Sequence, residues 1–317
     1  QARANRPASR YSSPGPGTRQ QGRVDPPIGH GVRVVGIISG PMAPTTEITL
    51  RDWKLGGKNP FFLISGPCVI ESQDHCLRMA ERLKAITSSL EIPWIFKASY
   101  DKANRTSIKS YRGPGREEGL KVLQSVKQQF DVPVLSDVHE VEQVAEAAEV
   151  LDILQIPAML SRQTDLILAA VQTGRIVNIK KGQFLAPWDV EHVLEKARSA
   201  GGSGILVTER GVSFGYNNLV SDFRALPIIR GLGVPVVFDA THSVQLPGGA
   251  GGWSGGQAEF IPYLARAAVA VGTDGIFMEV HDRPDEALSD GANAMQIDQL
   301  EEVLKQLKGI DRLAKGL

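Results

Sequence analysis

Cysteine is nearly absent from this chain. Two cysteines in 317 residues exclude a disulfide framework and point to a reducing compartment, so a cytoplasmic location is expected. Long apolar runs are missing too. None approaches the roughly 18–20 residues that a membrane span needs. Net charge is also absent, with 35 Lys plus Arg against 35 Asp plus Glu. That balance argues against a nucleic-acid or membrane surface. No G-x-G-x-x-G follows the first predicted strand, which weakens a dinucleotide reading. What remains is ordinary for a globule. Apolar residues make up 42% and charged residues 22%, and the length suffices for one large domain with a full core.

Acids are missing from residues 1–46, where Asp25 stands alone against Arg3, Arg6, Arg10, Arg19, Arg23 and Arg33. Pro7, Pro14, Pro16, Pro26 and Pro27 interrupt any helix there. Such a segment buries too little apolar surface to offset the entropy of ordering it. An organellar transit peptide is one reading. The segment has no amphipathic helical pattern and does not begin with Met. The expectation is therefore a disordered or non-native extension, with Met42 as the natural start and a barrel domain over residues 47–317.

From Phe61 onward short β-rich runs alternate with helical stretches. The runs are Phe61–Ser65, Trp94–Lys97, Val134–Asp137, Ile153–Ile156, Ile176–Lys180, Ile205–Glu209, Val236–Asp239 and Gly275–Glu279. Cys76, Ala80, Leu83 and Ile86 recur at helical spacing, as do Leu300, Leu304, Leu307 and Ile310. Eight β/α alternations predict an α/β fold, a (β/α)8 TIM barrel, with a doubly wound open sheet as the alternative. Asp52–Asn59, with Trp53 and Leu55, is expected to cap the barrel floor.

Polar residues cluster where the runs end, and in such barrels that end carries the chemistry. Lys97, Lys102, Arg105, Arg112, Lys180, Lys181 and Arg210 fall at or near predicted mouth loops. Crowded cations imply anionic ligands, phosphates or carboxylates. Each alone reads equally well as solvated charge, and Lys97 or Lys180 also fits a Schiff-base lysine. Cys68 sits in Gly66–Pro67–Cys68 directly after a strand, whereas Cys76 fits a helix's apolar face. His242, Glu279 and Asp290 also follow strands. One sulfur, one nitrogen and two oxygen donors suit Fe²⁺, Mn²⁺, Co²⁺ or Zn²⁺. His75, His192 and His281 read as structural or solvated.

The segment FKASYDKANRTSIKSYRGPG (Phe96–Gly115) resembles the 3-deoxy-D-manno-octulosonate 8-phosphate synthases. So do GPCVIES (Gly66–Ser72), SDVHE (Ser136–Glu140), QIPAMLSRQTDL (Gln155–Leu166) and NIKKGQFLAPWD (Asn178–Asp189). ERGVSFGYNNLVSDFRALP (Glu209–Pro227), FDATHSVQLPGG (Phe238–Gly249) and FMEVHDRPDEALSDG (Phe277–Gly291) extend it. The resemblance runs from about Phe61 to the C-terminus.

It implies condensation of phosphoenolpyruvate with D-arabinose 5-phosphate, releasing phosphate, on a route to lipopolysaccharide or to pectin that contains the same sugar. Lys97 and Lys102 then match residues at the enolpyruvate carboxylate. Lys180 and Arg210 match its phosphate clamp, with Gln155, Ala158 and Gln183 nearby. Asn104, Arg105 and Thr106 match the sugar phosphate site; Thr106 stands where many members have Ser. Lys102, Asp137, His139 and His242 are expected near the reacting carbons. Arg162 matches an arginine that reaches a neighbouring subunit, which implies a homotetramer. Members with Cys in the first loop need a divalent metal, which makes Cys68, His242, Glu279 and Asp290 the expected ligands. The rival is 3-deoxy-D-arabino-heptulosonate 7-phosphate synthase, acting on erythrose 4-phosphate. A non-catalytic barrel would gain nothing from so many crowded cations.

Overall fold

A computed structural model describes residues 44–249 and 254–317. All but the last three residues of the expected extension lie outside them, as do residues 250–253 of the Gly-rich loop. Eight parallel strands close on themselves. They are β1 (Phe62–Gly66), β2 (Trp94–Lys97), β3 (Val134–Asp137) and β4 (Ile153–Ile156). β5 (Ile176–Lys180), β6 (Ile205–Glu209), β7 (Val236–Asp239) and β8 (Gly275–His281) follow. Each pairs with the next in sequence, and β8 closes the ring onto β1, Gly275 opposite Phe62. The open-sheet alternative is thereby set aside. The first strand is shifted by one residue from the predicted run and the last runs two residues longer.

The helices are α1 (Gln73–Ser89), α2 (Arg116–Phe130), α3 (Val141–Val150) and α4 (Thr164–Gln172). After them come α5 (Val190–Ser199), α6 (Ala225–Arg230), α7 (Ile261–Val271) and α8 (Leu300–Lys315). Cys76, Ala80 and Leu83 of α1 and Leu300, Leu304 and Leu307 of α8 are buried against the strands, as their spacing predicts.

Strand periodicity explains why the chemistry gathers at one end. Alternate side chains face the barrel axis. Low in the barrel these are apolar: Phe62, Ile64, Ile95, Leu135, Ile153, Leu206, Val237 and Phe277 form one cluster. A hairpin of Ile48–Leu50 and Trp53–Leu55 closes that end, with Ile48, Leu50 and Leu55 in the same cluster. Burying each such side chain contributes about 1.5–3 kcal/mol. The floor is thus capped by Trp53–Leu55 together with the preceding Ile48–Leu50. Thr46 N donates to Gly233 O at 2.9 Å and Gly57 N to Thr45 Oγ1 at 2.8 Å, so among the described residues the barrel's contacts reach back to Thr45. Two residues beyond each apolar layer, the inward positions become Lys97, Asp137, Gln155, Asp239 and Glu279. Gln155 Nε2 donates to Asp137 Oδ1 (2.5 Å), Asn178 Nδ2 to Gln155 Oε1 (2.8 Å) and Thr208 Oγ1 to Asn178 Oδ1 (2.7 Å). This polar belt crosses four strands and satisfies buried groups that would otherwise cost free energy.

Candidate active site

A cavity of about 660 Å³ opens at the C-terminal ends of the strands. Lys97, Lys102, Asp137, His139, Gln155, Ala158, Lys180, Gln183, Arg210 and His242 line it. Asn104, Arg105 and Thr106 enter from the β2–α2 loop and Asp290 from the β8–α8 loop. Cys68 and Glu279 are buried behind this lining. Arg162 is exposed and does not line the cavity. Two of the expected mouth cations point elsewhere. Lys181 follows an inward-facing lysine, so its side chain turns outward; Nζ donates to Leu185 O at 2.9 Å and pairs with Glu209 Oε2 at 3.4 Å. Arg112 pairs with Asp101 through Nε and Nη2 at 2.8 and 2.5 Å, away from the cavity.

The remaining cations are tightly held. Lys97 Nζ donates to Glu279 Oε1 (2.6 Å) and Cys68 O (2.8 Å). Lys180 Nζ donates to Asp239 Oδ2 at 2.7 Å and lies 3.8 Å from the centre of the Phe277 ring. Burial pulls the Lys180 ammonium below its ordinary value against the attraction of Asp239 and Glu279. Arg210 Nη2 donates to Gln245 Oε1 at 2.9 Å, while its Nε is buried without a partner. Gln183 Oε1 and His139 Nδ1 are likewise buried and unpartnered. Buried polar atoms are rarely left so, and these three belong to residues that line one cavity.

Behind the cations lies the thiol group. Cys68 Sγ is 3.2 Å from Asp290 Oδ2 and 2.8 Å from Ser289 Oγ. His242 Nε2 is 3.8 Å from Glu279 Oε2 and 4.0 Å from Asp290 Oδ2. Its Nδ1 meets Asp239 Oδ2 at 2.8 Å, leaving Nε2 to face the two carboxylates. That pairing is the usual support for a metal-ligating imidazole. Burial, then Asp290 and Glu279, push the Cys68 thiol far above its ordinary value. Burial alone would raise the Glu279 carboxyl, but Lys97, His242 and Lys102 outweigh it and hold the group well below the usual range. Glu279 Oε2 nevertheless has no hydrogen-bond donor. Cys68, Glu279 and Asp290 thus gather one sulfur and two carboxylate donors, one oxygen of them orphaned, with His242 Nε2 facing the carboxylates from just outside that cluster; the set fits a divalent cation, which would replace the thiol proton. Asp290 reaches the group from a left-handed backbone (φ 50°), a strained conformation for a non-glycine residue.

Sequence reasoning left several neighbours out. Asp239 orients His242 and holds Lys180; its place at a strand end, three residues before His242, was the available signal. Lys109, Ser110, Tyr111 and Ser289 also line the cavity, in loops whose path no periodicity predicts. His75 and His281, read as structural or solvated, are buried and form with Glu71 a second group of metal-type donors.

The model of the DAHP synthetase I family matches residues 42–315. The chain belongs to this family. Among curated family relatives, the 2-dehydro-3-deoxyphosphooctonate aldolase of Geotalea uraniireducens is 63% identical over 269 residues, covering 85% of this chain and 99% of the relative. The Geotalea daltonii protein of the same name is 62% identical with the same coverage. That of Geobacter metallireducens is 62% identical over 271 residues, 86% of this chain and all of the relative. These are the relatives to which the motifs point. Among the described residues, no helix is long and apolar enough to cross a membrane.

Proposed function

We propose that the chain condenses phosphoenolpyruvate with D-arabinose 5-phosphate and water to give 3-deoxy-D-manno-octulosonate 8-phosphate and phosphate. Water adds to C2 of the enol phosphate, C3 bonds to the sugar aldehyde carbon, and the C2–O bond to phosphate breaks. One observation carries the reading. Unpartnered Arg210 Nε, Gln183 Oε1 and His139 Nδ1 share one cation-lined cavity with Lys180, in a chain 63% identical to an aldolase over 85% of its residues.

Lys180 and Arg210 hold the enolpyruvate phosphate, with Gln155, Ala158 and Gln183 shaping that side. Lys97 and Lys102 meet the carboxylate. Asn104, Arg105 and Thr106 receive the sugar phosphate at the outer loop. Charge-assisted bonds of this kind contribute about 1.5–3 kcal/mol each, and preorganised cations give the large electrostatic term as phosphate leaves. His139 Nδ1 is buried at the cavity without a hydrogen-bond partner, open to a substrate group, and Asp137 keeps its carboxylate oriented by Ser99 Oγ and Gln155 Nε2, both at 2.5 Å.

Cys68, His242, Glu279 and Asp290 hold a divalent ion, Fe, Mn, Co or Zn, which when bound polarises the aldehyde or activates water. Arg162 reaches the site of a second copy in a homotetramer. Large apolar side chains left exposed in the loops after β4 and β5, Met159, Phe184 and Trp188, support this, and the first of these loops also carries Arg162. The two free cysteines support a cytoplasmic location.

Phosphate release with phosphoenolpyruvate and either aldose phosphate tests the reading. Faster turnover of erythrose 4-phosphate would reverse it in favour of the heptulosonate reaction. Chelation should abolish activity, and re-addition of metal should restore it; full activity after stripping would remove the ion from the scheme.

A further inference from the structure

Glu71, His75 and His281 bridge the two loops that carry the thiol group. Glu71 lies three residues after Cys68, in a segment that is buried and bonded to its neighbour. Val69 and Ile70 are both 1% exposed, and Ile70 N donates to Ser99 O at 3.0 Å. Across from it runs the β8–α8 loop, which delivers Asp290. Glu71 Oε1 accepts from Leu288 N at 2.8 Å and meets His281 Nε2 at 3.3 Å. The Leu288 side chain is 50% exposed, so packing does little to fix the loop there. Its backbone amide is one anchor, two residues before Asp290; the buried Ser289 hydroxyl, 2.8 Å from Cys68 Sγ, is the next.

The same side chains have the donor types of a metal site, and His75 Nδ1 is buried, unpartnered and 4.0 Å from Glu71 Oε2. The hydrogen bonds argue against an ion. Arg283 N donates to His281 Nδ1 at 2.9 Å. That nitrogen therefore carries a lone pair and the proton sits on Nε2, the atom that would have to face a cation. It faces Glu71 Oε1 as a donor instead. His75 Nε2 meets Asp282 Oδ1 at 3.1 Å, which ties α1 to the same loop.

We propose that Glu71 is a positioning residue: its Oε1 latches the β8–α8 loop to the Cys68 loop and so sets Asp290 beside the thiol, without holding a second metal ion. The inference rests on the metal reading of Cys68, His242, Glu279 and Asp290. A role in orientation rather than charge makes an inverted prediction. Glu71→Gln keeps the acceptor oxygen and adds an amide donor toward His75 Nδ1. Glu71→Asp keeps the charge but shortens the reach by one carbon–carbon bond, roughly 1.5 Å.

Metal-stripped wild type, Glu71→Ala, Glu71→Asp and Glu71→Gln are titrated with Co²⁺, following the thiolate-to-cobalt absorption band. Hydrogen exchange over residues 283–291 is measured on the same stripped proteins. The latch predicts one equivalent of Co²⁺ for wild type. Ala and Asp should bind about 10- to 100-fold more weakly with an altered band, as loss of an outer partner does, and their loop amides should exchange faster. Gln should stay near wild type in both. Unchanged exchange in Ala and Asp overturns the latch, as does a Gln variant no better than Asp. If Ala does not fold, Asp and Gln alone decide. Two equivalents in wild type, one lost on changing Glu71, would make the cluster a metal site and also overturn it. If wild type binds no Co²⁺ while the exchange pattern holds, the metal reading fails and the latch stands.

Discussion

Replacing Lys97 by Met isolates the electrostatics under the cavity. Lys97 is 1% exposed, and its ammonium supplies the 2.6 Å bond to Glu279 Oε1. Without it, the nearest lysine to that oxygen is Lys102 at 4.0 Å. Met fills the space of the lysine stem, so the change removes a charge and two hydrogen bonds rather than volume. Leaving one partner of a buried pair alone costs about 3–5 kcal/mol. For a domain of this size each kcal/mol is worth about 2–4 °C, so the expected fall in Tm is about 6–20 °C. The measurement is thermal and urea unfolding of metal-stripped protein, so that an ion cannot stand in for the lost ammonium. The double variant Lys97→Met/Glu279→Gln removes the stranded charge and should recover most of the loss. A single variant within about 0.5 kcal/mol of wild type, the scatter typical of surface changes, would refute the reasoning. So would a double variant no more stable than the single.

Three further outcomes are expected. Cys68→Asn, which removes the thiolate donor but keeps a polar side chain, should retain some activity that chelator does not abolish; activity present without chelator and lost with it would remove Cys68 from the ligand set. Arg105→Ala should raise KM for arabinose 5-phosphate about 10- to 100-fold through one lost charged contact and leave that for phosphoenolpyruvate nearly unchanged; equal losses would mean that the sugar phosphate sits elsewhere. Burial alone would raise the Asp137 carboxyl, but Lys102 and Lys97 outweigh it and hold it far below the usual range. A carboxyl depressed on folding contributes stability above its unfolded pKa, about 4, and that stability is lost as pH falls through the folded value. Urea midpoints of stripped protein should therefore drop from pH 5 to pH 3, less steeply in Asp137→Asn; a midpoint that rises with acid would contradict the sign.

Much of this protein follows from short-range pattern. Six of the eight strands have the bounds their β-rich runs predict, because a buried parallel strand writes itself as a short, mostly apolar run, and five of these six end in a charged residue. The motifs around Lys102, Arg105 and Cys68 were readable for the same reason: each lies within one loop. Closure and side-chain direction were decided by the tertiary structure. Lys180 and Lys181 are neighbours in sequence, yet only Lys180 lines the cavity, since successive strand side chains face opposite ways. Asp290 meets Cys68 across 222 residues only because β8 pairs with β1. Asp239 gains its role from Lys180, two strands around the ring and 59 residues away along the chain. Residue types and spacings specify which groups are available; the ring of hydrogen-bonded strands determines which of them come within reach of one another.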